Sequence, residues 1–147
     1  MSKIEKHLLV LRGKANTGKT STFKLIYNQL VADHDTGCLN LNKMKLGKET
    51  KAIFYKSNTL IGMSSAGDSV AQIQNGICTF LGLKCPIILC AAHPSIKHNQ
   101  LLDTFSTEFT TISFFDKVKA DYPDTFEKEN TRAAADIISK INAILLR

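Results

Sequence analysis

Residues Gly13-Lys14-Ala15-Asn16-Thr17-Gly18-Lys19-Thr20 fit the pattern GxxxxGK[ST], and each fixed position has a chemical reason. Gly13 and Gly18 let the backbone curl so that successive N–H groups face inward, including conformations a side chain would hinder. Lys19 adds a mobile positive charge. The Thr20 hydroxyl is a hard oxygen ligand of the kind Mg²⁺ accepts while keeping several waters. A glycine-framed run of this type replaces the hydration of a multiply charged anion, and a nucleoside triphosphate is the ligand expected. The candidate binding segment runs from Gly13 through Ser21.

Such a loop works only between a strand and a helix. The short apolar run His7-Leu8-Leu9-Val10-Leu11 before it has the character of a buried strand. After it, Phe23, Ile26, Tyr27, Leu30 and Val31 fall on one face of a helix. That helix would bring unpaired N–H groups and the positive end of its dipole to the anion.

With loop and flanks in place, the chain resembles the P-loop NTPase superfamily. The specific motif covers Gly13 to Thr20, and the broader α/β pattern covers most of the sequence. Lys14, directly after the first glycine, is also similar to a second lysine of the partition and nitrogenase-iron family. That family has glycines where this chain has Ala15 and Asn16, so Lys14 reads either as a solvated loop lysine or as one acting in trans. Element order resembles the kinase–GTPase division. The resemblance implies a three-layer α/β fold, a mostly parallel central sheet with one antiparallel edge strand, and helices on both faces.

The rest of the chain supplies these elements. Cys38 to Leu41 reads as a short strand, and Asn42 to Lys51 as a polar, lysine-rich surface loop. Ala52–Lys56 and Thr59–Ser64, joined by Ser57-Asn58, form a hairpin pattern. Asp68 is placed to cap a helix through Val70, Ile73, Ile77 and Phe80 to about Gly82. Pro86 to Ala92 is an uninterrupted apolar run suited to a central parallel strand. A helix from Ile96 to Ser106, a strand from Glu108 to Phe115, and a loop at Asp121-Tyr122-Pro123-Asp124 follow. A last helix has Ala134, Ile137, Ile138, Ile141, Ile144 and Leu145 in one stripe. A single domain over residues 1–147 is expected, without internal repeat or linker.

Ligands in such sheets bind beyond the carboxyl ends of the strands. Topology should therefore bring the loop, the end of the hairpin near Ser65 and the turn at His93 together. Asp68 is the candidate acid, holding Mg²⁺ directly or through water, and equally an ordinary helix cap. His93 is a candidate for positioning water, sensing the γ-phosphate or touching substrate. Thr50 sits where switch-type NTPases place a threonine on the metal. Arg12 and Arg132 are the arginines available as a charge on the transferred group.

Composition narrows the class. Hydrophobic content of 44% with 22% charged residues describes an ordinary globular chain. No apolar run approaches a membrane span, and the amino-terminal run is too short for a signal-peptide core, so a cytoplasmic location is expected. Cys38, Cys78, Cys85 and Cys90 lack metal-type spacing and read as buried free thiols. The net charge of +6 is scattered lysine with three arginines, a weak signal for nucleic acid. No Asn-Lys-x-Asp follows the central strand, which favours ATP over GTP. The expected function is a Mg²⁺-dependent ATPase or nucleotide-controlled switch. A small P-loop kinase and a non-catalytic nucleotide-binding subunit of an assembly are the alternatives, and a protein partner or oligomer fits either.

Overall fold

The run His7–Arg12 forms β1, buried from His7 through Leu11. Its side chains alternate between two apolar clusters. Leu9 and Leu11 join one, Leu8 and Val10 the other. Each such side chain, fully removed from water, contributes roughly 1.5–3 kcal/mol. The computed structural model describes residues 5–14, 17–33, 36–40, 51–67, 69–117 and 125–146.

From β1 the chain passes through the loop into α1 (Lys19–Ala32), then β2 (Gly37–Asn40), β3 (Lys51–Lys56) and β4 (Thr59–Ser64). Then come α2 (Val70–Gly82), β5 (Ile87–Ala92), α3 (Ile96–Thr104), β6 (Thr111–Asp116) and α4 (Phe126–Leu145). The strands form one sheet in the order β2-β3-β4-β5-β1-β6. β4, β5, β1 and β6 are mutually parallel, and β3 is antiparallel to both its neighbours. The fold is therefore α/β with a mostly parallel sheet, as expected. The antiparallel strand is not at the edge. β2 pairs outside β3 and runs in the direction of β4, so a second reversal returns the chain to the common direction.

Both clusters lie against this sheet. Phe23, Ile26 and Leu30 of α1 and Ala134, Ile137 and Ile141 of α4 pack with Leu9, Leu11 and Leu89. Ile73, Ile77 and Phe80 of α2 and Leu102 of α3 pack with Leu8, Val10 and Ile88. β5 is buried at every position because both its faces are covered. α1 and α4 run side by side in the same direction. Thr22 lies near Asn130 at one end, and Lys56 links Asp33 to Asn142 at the other.

Local chemistry explains most boundaries. Ser57 and Asn58 have φ of 51° and 61°, the left-handed pair of a tight hairpin turn between β3 and β4. α2 is capped by Ser69 rather than Asp68. Its Oγ accepts from the Gln72 amide at 3.2 Å, and the Ser69 amide donates to Gln72 Oε1 at 3.2 Å. α3 starts at Ser95. The last strand begins at Thr111 and not at Glu108, because Ser106 and Glu108 still bond back to Asp103 and Phe105 as the chain leaves α3. Val31, expected on the buried face of α1, is 47% exposed, and Tyr27 meets Phe54 edge-on at 5.7 Å. Cys85 and Cys90 are buried thiols, whereas Cys78 is exposed on α2 and departs from expectation. Among the described residues no helix is long and apolar enough to cross a membrane.

Candidate functional site

Parallel pairing brings the carboxyl ends of four strands side by side. The Gly13 amide donates to the Ala92 carbonyl at 3.0 Å, joining the loop to the end of β5. The Lys117 amide donates to the Arg12 carbonyl at 2.7 Å, joining the end of β6 on the other side. Gly67, beyond β4, lies so close to β5 that an added Cβ would fall 2.2 Å from the Ala91 oxygen. The three segments expected to converge do so at the level of the backbone. β5 nevertheless stands between β1 and β4, so the hairpin strand is two places from the loop strand.

The loop itself is held by its own atoms. The Thr17 hydroxyl donates to the Lys14 carbonyl at 2.8 Å. The Lys19 ammonium donates to the carbonyls of Gly13 and Lys14, the latter at 3.0 Å. That lysine therefore folds back over the segment it terminates. Gly18 precedes α1 with φ of 90°, a left-handed conformation suited to glycine. It offers no side chain to cap the helix, and the first turn of α1 contains no acid. The first amides at this end meet no capping side chain, unlike the serine-capped starts of α2 and α3. Thr20 and Ser21 are exposed just beyond, and Lys14 is exposed on the other side.

A second tier braces the loop from α4. Asn130 Oδ1 would lie 2.3 Å from a Cβ placed on Gly18. The same oxygen accepts a hydrogen bond from the Lys117 ammonium. The buried Thr22 hydroxyl lies 2.8 Å from the Gly18 carbonyl and 3.4 Å from Asn130 Oδ1; with one proton to give, it bonds the carbonyl. Burial lowers the Lys117 pKa from its usual value, and Glu129 partly opposes that shift. Neither Lys117 nor Asn130 stands out in the sequence. The one hint is a polar Asp116-Lys117 pair directly after Phe114-Phe115, where a strand should end.

No protein-family model matches the chain, and no curated protein and no solved structure matches it.

The remaining candidates fare differently. His93 follows β5 at the site edge, and its ring packs against that of His98 on α3, with centroids 5.4 Å apart. Arg12 is committed elsewhere. Its Nε donates to Asp116 Oδ1 at 2.6 Å and its Nη1 to Asn99 Oδ1 at 3.3 Å, while the guanidinium lies 4.2 Å from the Phe114 ring centroid. Arg132 is exposed on α4. Asp68, Ala15, Asn16, Thr50, the lysine-rich segment up to Thr50 and the Asp121–Asp124 loop lie outside the described residues. Among the described residues, no three His, Cys, Asp or Glu side chains are grouped to hold a metal. A Mg²⁺ ion carried in by phosphates and water needs no such cage, and the exposed Thr20 hydroxyl fits that mode.

Proposed function

We propose that this protein binds a nucleoside triphosphate, with ATP preferred, in a three-layer P-loop NTPase arrangement, and that it hydrolyses it or switches on it with Mg²⁺. The observation that carries the reading is the Lys19 ammonium held over the carbonyls of Gly13 and Lys14, at the uncapped start of α1. An ammonium resting on neutral carbonyls can turn to phosphate oxygens, which bind it more strongly because they are charged. The reading rests on the loop and its setting.

In this reading Gly13 frames the turn with its own amide bonded to Ala92, and Lys14, Ala15, Asn16, Thr17 and Gly18 supply backbone N–H groups to the phosphates, together with the first amides of α1 at Lys19, Thr20 and Ser21. Lys19 holds the β- and γ-phosphates. Thr20, with Asp68 as the candidate acid, would hold Mg²⁺, which supplies charge neutralisation on the γ-phosphoryl group when bound. His93 is the candidate for orienting water. Hydrolysis forms one bond from water oxygen to the γ-phosphorus and breaks the bond to the β-γ bridging oxygen, which leaves with the nucleoside diphosphate, while the water proton passes to the released phosphate or to solvent. Arg12 is not a catalytic charge in this reading, since Asp116 occupies it. Turnover without a partner supplying charge is therefore expected to be slow.

The test is binding first and turnover second. ATP with Mg²⁺ should raise the melting temperature of the wild type, and Lys19→Ala should abolish the rise. If neither ATP nor GTP shifts the wild type, the reading fails. Released phosphate that depends on Lys19 supports hydrolysis, while transfer to an added acceptor supports the kinase alternative. Mg²⁺-dependent turnover retained in Asp68→Ala removes that residue.

A further inference from the structure

The cations around the loop are not equivalent. Arg12 is paired with a carboxylate, and Lys14 is exposed to solvent. Lys117 differs from both. Its Cβ lies 3.3 Å from where a Cβ on Gly13 would sit, and its ammonium reaches the Asn130 oxygen that abuts Gly18. The side chain therefore runs along the α4 flank of the loop from one framing glycine to the other. It is half-buried, and its hydrogen-bond partner is a neutral amide.

A half-buried ammonium has lost part of its hydration, and one amide oxygen replaces only part of that loss. The lowered pKa of Lys117 reports the same imbalance. An anionic oxygen would offset it more fully, because hydrogen bonds between ions are stronger than those to neutral acceptors. The backbone keeps this cation in place, since the Lys117 amide is bonded to the Arg12 carbonyl at the end of β1. Asn130 holds the ammonium by one hydrogen bond, which a side-chain rotation would release. We propose that Lys117 is the second cation of the phosphate site, engaging a ligand phosphate oxygen from the α4 side while Lys19 engages from the loop. This rests on the triphosphate reading above.

Charge and hydrogen bonding are separable at this position. Lys117→Gln keeps an N–H donor for Asn130 and loses the charge; Lys117→Arg keeps the charge. Affinities for ATP and for inorganic tripolyphosphate are measured by calorimetry on both variants and the wild type. Lys117→Gln should weaken both ligands by about tenfold or more, and Lys117→Arg should stay within about threefold of the wild type. A merely structural lysine gives the reverse order, with Gln tolerated and Arg disruptive, and that outcome overturns the proposal. Loss confined to ATP, with tripolyphosphate unaffected, also overturns it, by placing Lys117 on the nucleoside. If the wild type binds neither ligand, the site reading itself falls and takes this inference with it. Amine labelling of the wild type guards against a misfolded variant. Tripolyphosphate should protect Lys117 while the exposed Lys84, before β5 and so at the amino-terminal end of the parallel strands, labels as before. Equal labelling of Lys117 with and without tripolyphosphate refutes the proposal.

Discussion

Arg12 Nε lies 2.6 Å from Asp116 Oδ1, across a register pair of the adjacent strands β1 and β6. The pair ties the edge strand β6 to its neighbour β1 beside the loop and holds the Arg12 guanidinium to a carboxylate.

Its worth to stability depends on pH in a defined direction. The hydrogen bond from Arg12 is the main reason the Asp116 carboxyl titrates below its ordinary value, with burial opposing. The folded pKa is the lower one. Stabilisation is therefore present above the unfolded value of about 3.9 and disappears as the pH falls through the folded value. Because the Asp116 side chain is 63% exposed, Asp116→Asn should cost under about 1 kcal/mol at neutral pH. Urea unfolding of both proteins across the acid range checks this, and the gap between them should shrink as Asp116 protonates. A gap constant with pH contradicts the assignment.

Removing the cap of α2 should be felt more. Ser69→Ala loses the reciprocal pair with Gln72 and is expected to lower stability by about 1 kcal/mol, read from the denaturant midpoint. Unchanged midpoints would mean that the cap contributes nothing.

Gly18→Ala meets two penalties. A left-handed backbone costs a non-glycine residue roughly 1–2 kcal/mol, and the new Cβ would lie 2.3 Å from Asn130 Oδ1. Gly37→Ala in β2 provides the contrast, since nothing lies within 4 Å of its added Cβ. The expected result is clear destabilisation at Gly18 and a change within about 0.5 kcal/mol at Gly37. Equal effects would contradict the crowding at the loop.

Thiol chemistry should sort the cysteines by depth. Burial pushes the Cys85 thiol up to about 11 and the Cys90 thiol up to about 12. Cys78 is exposed. A thiolate-selective reagent under native conditions should modify Cys78, and reach Cys85 and Cys90 only with denaturant. Peptide mapping decides it, and native labelling of Cys90 would contradict its burial.

What the sequence made legible was local. A glycine-framed loop between an apolar run and a helical stripe, the left-handed pair Ser57-Asn58, and the apolar run of β5 each declare themselves within a few residues. The strand order does not, because it depends on which distant segments find each other. The cap of α2 is Ser69, because a serine with a glutamine three residues on makes a reciprocal bond, a pattern that needs the pair to be read together. In the sequence Arg12 looks like an available charge, because its partner, Asp116, is 104 residues away. Lys117 and Asn130 were invisible for the same reason, since only the pairing of β6 with β1 and the packing of α4 on α1 bring them to the loop.

The strand that leads into the loop is made early and completed late. Both of its neighbours, β5 and β6, come from the second half of the sequence, and the brace from Asn130 lies 108 residues beyond Thr22. At a synthesis rate of about 5–20 residues per second, β1 waits for several seconds with its edges unpaired. Contacts of such long range also slow folding in the free chain. A nascent chain halted before α4 would carry every residue of the Gly13–Thr20 loop without the brace behind it. Until β5 and β6 have been delivered, β1 is an apolar strand with both edges open, the kind of segment that aggregates unless a chaperone holds it.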